Sequence, residues 1–345
     1  MTGAPLAEHT TLRLGGPARD FVQVVQESEL IETMARGDES GTRILILAGG
    51  SNLVVSDDGF PGTVVHIRTS GVDVDRDADG GAKVTVAAGE NWDELVARAV
   101  SQDWVGIEAL SGIPGSVGAT PIQNVGAYGQ EVAETVTSVR CWDRAARTIL
   151  TVPAGECGFG YRTSRFKKDP TRYVVLTVTF RFGLGDLGAP VKYAELARNL
   201  GVQPGGQASI RQVRDGVLAL RRKKGMVLDD ADHDTWSTGS FFTNPFLPVE
   251  AAGRLPADAP RWDQPDGTTK ISAAWLIEHS GFTKGYGNDR VRLSTKHTLA
   301  LTNRGGATTK DLVTLASEIQ AGVLDTFGVW LVNEPVLVGC ELPRP

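Results

Sequence analysis

The stretch Gly106–Val132, GIEALSGIPGSVGATPIQNVGAYGQEV, decides how the rest of the chain is read. Glycines stand at 106, 112, 115, 118, 126 and 129, and the segment is otherwise poor in charge. Such a segment presents backbone rather than side chains, because glycine lets main-chain N–H groups approach a ligand closely and reaches φ > 0 without strain. Gly112, Gly115 and Gly118, at three-residue spacing, predict a loop wrapped around a phosphate-bearing or planar ligand. Pro114 rules out an uninterrupted helix. A turn-rich connection uses the same residue types, so the stretch by itself leaves both readings open.

A second stretch, Arg43–Ile67 (RILILAGGSNLVVSDDGFPGTVVHI), reads as an apolar β-run, a Gly49-Gly50-Ser51-Asn52 turn, a second apolar run, a turn at Asp57–Gly62 and a third strand. Two Gly/Ser/Asn loops bracketed by strands fit a pyrophosphate gripped by backbone and hydroxyl donors without a Rossmann helix. LAGGSNLVVSDDGFPG and SGIPGSVGATPIQNVGAYGQE together closely resemble the flavin-binding half of the UDP-N-acetylenolpyruvoylglucosamine reductase family, enzymes of peptidoglycan precursor synthesis. The resemblance covers nearly the whole chain and is nearest to type I members.

That resemblance implies an α+β fold, with a two-subdomain FAD-binding cradle of the PCMH, vanillyl-alcohol-oxidase-like kind and a smaller α+β substrate-binding domain. The implied bounds are 1–70, joined by a C-terminal strand at 335–345, then 71–228, and 229–334 for substrate. The cofactor implied is FAD, with NADPH as reductant. Its holders would be Gly49, Gly50, Ser51, Asn52 and Leu53 in the first loop, and Gly112, Pro114, Gly115, Ser116, Gly118 and Ala119 in the second. Gln123, Asn124, Gly126, Ala127, Tyr128 and Gly129 would complete the second loop.

Composition narrows the function class independently. A chain of 345 residues with 41% hydrophobic and 22% charged content is long enough for two or three domains with real cores. The net charge of −6 argues against a nucleic-acid surface, and the Lys and Arg residues are scattered apart from Arg221–Lys224. The N-terminus carries Glu8 early and has no apolar h-region, and no run approaches a membrane span, so a cytoplasmic protein without membrane or nucleic-acid partners is expected. A monomer or weak oligomer is expected as well. Cys141, Cys157 and Cys340 are odd in number and lack C-x-x-C spacing, which predicts buried thiols and no metal site.

Along the chain, Thr10-Thr11-Leu12-Arg13-Leu14-Gly15-Gly16-Pro17-Ala18 is similar to the family's cofactor-domain start. A strand is predicted at Asp20–Val25, a helix from Glu27 to Arg36, a strand at Lys83–Ala88 and an amphipathic helix over Asn91–Gln102 with Asn91 and Glu94 at its cap. Strands at Thr135–Trp142, Arg147–Val152 and Tyr173–Phe182 predict a largely antiparallel sheet. Gly183-Leu184-Gly185-Asp186-Leu187-Gly188 matches G-x-G-x-x-G literally. It is rejected as a dinucleotide fingerprint because Pro190 delays any helix and no acidic residue lies near Gln203–Gln207. Helices are predicted at Ala208–Lys224, at Ser272–Glu278 and from a Thr308/Asp311 cap to Gly328, with strands near Thr298–Asn303 and over Val329–Val338.

Three places can carry chemistry. Arg162, in Gly158-Phe159-Gly160-Tyr161-Arg162-Thr163-Ser164, is either a surface charge or a bidentate anion clamp; the resemblance of its Y-R-x-S pattern implies a contact to the substrate carboxylate. Ser240, in GSFFTNP, reads as a cap or turn serine, and no G-x-S-x-G elbow supports a nucleophile. Its match to the family's G-S-F-F-x-N-P implies proton donation by Ser240 and a substrate contact by Asn244. Glu334, between Asn333 and Pro335 in an apolar strand, is either an edge residue marked by the proline or functional; the family's C-terminal motif implies function. The resemblance also implies substrate-side roles for Tyr193, Lys224 and His297. Two other classes stay open on residues alone: a flavin oxidase with the same cradle, and a nucleotide-sugar binding protein without catalysis.

Overall fold

A computed structural model of the chain describes residues 2–76 and 80–343. The expected bounds 1–70, 71–228 and 335–345 therefore include residues 1, 77–79, 344 and 345, which lie outside the described ones. The chain folds as two compact units made of interleaved segments. One holds Asp20–Gly49 and Pro61–Lys223; the other holds Gly3–Arg19, Gly50–Phe60 and the chain from Lys224 onward.

In the first unit the main sheet runs Thr148–Pro153, Val136–Asp143, Tyr173–Leu184, Ala82–Ala87, Val72–Arg76, with every neighbouring pair antiparallel. Alternation along Tyr173–Leu184 turns Phe180 and Phe182 inward. There they meet Trp92 and Trp104 at ring separations of 6.1 and 5.7 Å. Trp92 opens the helix Trp92–Ser101, whose buried face is Trp92, Leu95, Val96, Ala99 and Val100, one stripe at helical spacing. Asn91 caps it by accepting from Glu94 N at 3.1 Å. A second, smaller sheet has Pro17–Val24, Phe60–Ile67 and Ile44–Leu47 in that order, the last pair parallel. The helix Glu27–Glu39 adds Leu30 and Met34 to the same core.

The helix Ile210–Lys223 buries Ile210, Val213, Val217 and Leu220 against Val191, Leu196 and Ala197. The rejected glycine pattern is the end of a strand: Tyr173–Leu184 closes there, and the next helix starts only at Ala194. Cys141 and Cys157 are buried thiols, and burial pushes both up to about 11. Cys340 departs from the expectation in being only half-buried.

In the second unit the long helix is Thr309–Phe327, with a complete Thr308/Asp311 capping box and Gly328 in the left-handed region at φ 67°. Leu312, Leu315, Ile319 and Val323 pack on Leu12, Leu14, Val54, Phe241 and Phe242. Leu53–Val55 runs parallel to Val336–Val338, pairing Leu53 with Val336. The predicted strand Val329–Val338 is regular only over Val336–Val338. Ahead of it the chain stays extended but is held by scattered bonds: Gln320 Nε2 to Leu331 O, Thr243 N to Val332 O and Glu334 N to Phe241 O. Likewise Thr298–Asn303 shortens to Leu301–Asn303. Among the described residues no helix is long and apolar enough to cross a membrane.

Candidate active site

In the first unit the glycine-rich loop lies along the residues that lead into the helix Trp92–Ser101. Gly118 N donates to Ala88 O (2.9 Å), Val117 N to Glu90 O (2.9 Å) and Trp92 N to Gly115 O (3.1 Å). Gly49, from the other loop, touches the same segment, since a Cβ at Gly49 would sit 2.7 Å from Gly115 Cα. The two loops singled out in the sequence thus meet backbone to backbone, a packing open only to glycine. From Ser111 to Gly129, and from Gly49 to Leu53, no side chain is charged. Gly50, Gly112 and Gly115 have φ of 60°, 72° and 125°. Within the first unit Gly112 N is taken by Asp93 and the Val117 and Gly118 amides by backbone oxygens, which leaves the Gly115 and Ser116 amides as donors, and backbone dipoles of this kind fit a phosphate or a planar ring system.

Gly118 has a different reason to be glycine from the one its sequence suggests. A Cβ there would fall 2.5 Å from Ala88 Cβ and 2.9 Å from Ala88 Cα, inside the protein. Gly118→Val is therefore expected to lower the melting temperature and the flavin-to-protein ratio together, with overpacking of about 1–3 kcal/mol. A variant that keeps a full flavin complement at the parent melting temperature would refute this placement.

The turn bearing Arg162 is pinned to the same loop at three points. Asn124 Nδ2 donates to Gly160 O (3.2 Å), Ser164 Oγ to Ile122 O, and Arg162 Nη2 to Gly126 O (2.8 Å). Gly160 and Thr163 exchange both backbone bonds across a two-residue turn, and Arg162 occupies it at φ 51°. Asn124 and Tyr128 are also left-handed, at 46° and 50°. Non-glycine residues held there cost stability, and they concentrate where geometry serves function. The Asn124 side chain is committed within the protein to Glu131, Gly160 O and Ala133 N.

Tyr193, 46% exposed, meets Tyr128 edge to face at 5.5 Å. Burial pushes the Tyr128 hydroxyl up to about 12, so it stays a neutral donor. Sequence reasoning passed over Asp93 and Arg214, which form a two-point ion pair (2.7 and 3.0 Å) while Asp93 also accepts from Gly112 N at 2.6 Å. Burial alone would raise Asp93, yet the bonds from Arg214 and Gly112 hold it below the usual carboxylate range. The cap signal of Asn91 and Glu94 spoke only of a helix start, and the partners of Asp93 lie 19 and 121 positions away, which is why this loop anchor escaped notice.

The second unit brings another group together. Phe241 N donates to Leu299 O (2.7 Å), and Phe241 O accepts from Glu334 N (2.8 Å). Ser240 is thereby set between the His297–Leu299 turn and the Glu334 segment. Two residues on, the same segment binds Asn52, through Val336 N to Asn52 O at 3.0 Å. Pro335 is buried and Glu334 beside it is half-buried. Among the described residues the Ser240 hydroxyl makes no hydrogen bond to protein, whereas Ser272 and Ser164 serve as helix caps. The cap reading of Ser240 is thus displaced. His297 Nδ1 accepts from Leu299 N (3.2 Å), which places the ring proton on Nε2. Asn244 Oδ1 accepts from Ala273 N (2.9 Å) at the start of the helix Ala273–His279, and Lys224 directly follows the helix Ile210–Lys223.

Comparison with known proteins bears on both units. Residues 230–338 match the family model described as UDP-N-acetylenolpyruvoylglucosamine reductase, C-terminal domain, and residues 18–152 match one described as FAD binding domain. A UDP-N-acetylenolpyruvoylglucosamine reductase of Streptomyces avermitilis is 57% identical over 98% of this chain and 95% of its own length. One of Cutibacterium acnes is 54% identical over 98% of this chain and 90% of its own. The crystal structure of a protein of the same name from Thermus caldophilus aligns over 97% of both chains with TM-score 0.63 at 23% identity, which speaks to the fold alone.

Proposed function

The chain belongs to the UDP-N-acetylenolpyruvoylglucosamine reductase family, and from that premise we propose how its residues divide the work. It is an FAD-dependent, NADPH-driven oxidoreductase, a UDP-N-acetylmuramate dehydrogenase that reduces the enolpyruvyl group of UDP-N-acetylenolpyruvoylglucosamine in peptidoglycan synthesis. The observation that carries the assignment is the meeting of the two charge-free glycine loops at Gly49 and Gly115. In our reading, segments 1–70 and 71–228 cradle the flavin, with 335–345 returning to the first, and 229–334 receives the nucleotide sugar.

A flavin held there and reduced by NADPH would supply hydride to the terminal vinyl carbon of the substrate. The side chains make that carbon electrophilic and complete the reaction. Charge develops on the carboxylate side of the enol ether as hydride arrives, and a planar guanidinium at Arg162 stabilises it through two parallel hydrogen bonds. Glu334 completes the polar surroundings of that carboxyl. The adjacent carbon then takes a proton from Ser240, whose hydroxyl is engaged in no cap. Asn244, Lys224, Tyr193 and His297 hold the nucleotide sugar, Lys224 as a compact cation and His297 through its Nε2–H. A cytoplasmic monomer or weak oligomer completes the proposal.

Tyr193 tests the substrate side. Phenylalanine keeps the edge-to-face contact with Tyr128 but removes the hydroxyl that would bond a charged diphosphate, an interaction worth about 1.5–3 kcal/mol. Tyr193→Phe is expected to raise the substrate dissociation constant about tenfold or more, read as the perturbation of the oxidised flavin spectrum on titration. An unchanged constant removes Tyr193 from the site.

A further inference from the structure

The motif Thr10–Ala18 is left without a role by the chemistry above, and Thr11 within it occupies an unusual position. It is buried, at 8% exposure. Its backbone N–H donates to Gly50 O at 3.2 Å, and its hydroxyl donates to Ser237 O at 2.7 Å, across 226 positions of sequence. One residue therefore binds the first glycine loop with its main chain and the Ser240 segment with its side chain. Both attachments are stiff. At Gly50 the backbones pack so closely that a Cβ would lie 1.9 Å from His9 O. At the other end Ser237 Oγ accepts from Gly239 N (3.1 Å), Gly239 turns at φ 74°, and Phe241 N is fixed to Leu299 O. Only Thr238 and Gly239 separate Ser237, which accepts the Thr11 hydroxyl, from Ser240.

We propose that Thr11 is a positioning residue, whose side-chain hydrogen bond to Ser237 sets where Ser240 stands relative to the Gly50–Leu53 loop. The proposal rests on the reading of Ser240 as proton donor. A serine hydroxyl is a poor acid, so it acts by placement, and small misplacements of a reacting group are costly in rate. A hydrogen bond that only added stability would lower the melting temperature and leave the ratio of the two half-reactions untouched.

The experiment uses the FAD-loaded protein with Thr11→Val, Thr11→Ser, Ser240→Ala and the Thr11→Val/Ser240→Ala pair. Flavin-to-protein ratio, melting temperature, NADPH-driven flavin reduction and reoxidation by UDP-N-acetylenolpyruvoylglucosamine without oxygen are measured on each. Thr11→Val should retain FAD and reduce at the parent rate, but reoxidise about tenfold more slowly. Thr11→Ser, which keeps the hydroxyl, should restore reoxidation to within about twofold. In the Ser240→Ala background Thr11→Val should cause no further slowing, because an effect transmitted through Ser240 vanishes with it. Parent-rate reoxidation by Thr11→Val overturns the proposal. So does an undiminished tenfold loss on top of Ser240→Ala, or failure to fold or retain FAD, which would make Thr11 an anchor of the loop. If Ser240→Ala itself reoxidises at the parent rate, the proton-donor reading fails instead, and that outcome is legible without the Thr11 variants.

Discussion

Ser240→Ala is expected to bind FAD and bleach with NADPH as the parent does, while its reoxidation by the enol-ether substrate slows by about 10²-fold or more, some 2.7 kcal/mol on that step alone. The asymmetry follows from where the residue stands. Flavin reduction requires no proton delivered to carbon. Removing the hydroxyl breaks no hydrogen bond among the described residues, and the backbone around it is held by Phe241 N to Leu299 O and Glu334 N to Phe241 O. The fold and the cofactor loops thus have no reason to respond. Anaerobic stopped-flow separates the two steps. Reoxidation at the parent rate would show a structural serine, with Glu334 as the next candidate donor.

Arg162→Lys should cost about 10²–10³-fold in the same substrate step, comparable with loss of a donor from an oxyanion site. Lysine keeps the charge but gives up the planar fork. Here the fork is oriented by the protein, because Nη2 is anchored on Gly126 O at 2.8 Å and the guanidinium carbon stands 5.5 Å from the Tyr161 ring centre. A lysine ammonium could take the place of one of these contacts but could not also face a carboxylate in two-point geometry. The left-handed φ of 51° persists in the variant, so the melting temperature should move little. Equal slowing of NADPH-driven reduction would argue against a carboxylate clamp.

How much of this was readable from sequence depends on the range of the interaction involved. Signals confined to a few residues translated directly: the Asn91 cap, the Thr308/Asp311 box and the Gly328 stop all appear where the pattern places them. The turn carrying Arg162 was visible as Gly-flanked, but its left-handed arginine was not, because strain of this kind comes from the Ser164, Asn124 and Arg162 links to residues 122–126. The setting of Pro335 was not readable either, because the backbone on its two flanks is bonded to Phe241 and Asn52, and neither neighbour is local. Gly118 was singled out for close approach to a ligand, and its contact with Ala88 is nowhere in the local sequence. Thr11 was visible only as one residue of the Thr10–Ala18 stretch, because its hydrogen bond to Ser237 reaches across 226 positions.

The most direct test of the account takes the purified parent protein under anaerobic conditions and follows the visible flavin band through one cycle. NADPH alone should bleach it, and the subsequent addition of UDP-N-acetylenolpyruvoylglucosamine, with no oxygen present, should restore the full oxidised spectrum while one equivalent of reduced sugar product forms. A protein that purifies without flavin, or whose bleached flavin ignores the enol ether and recovers only when oxygen is admitted, would contradict it.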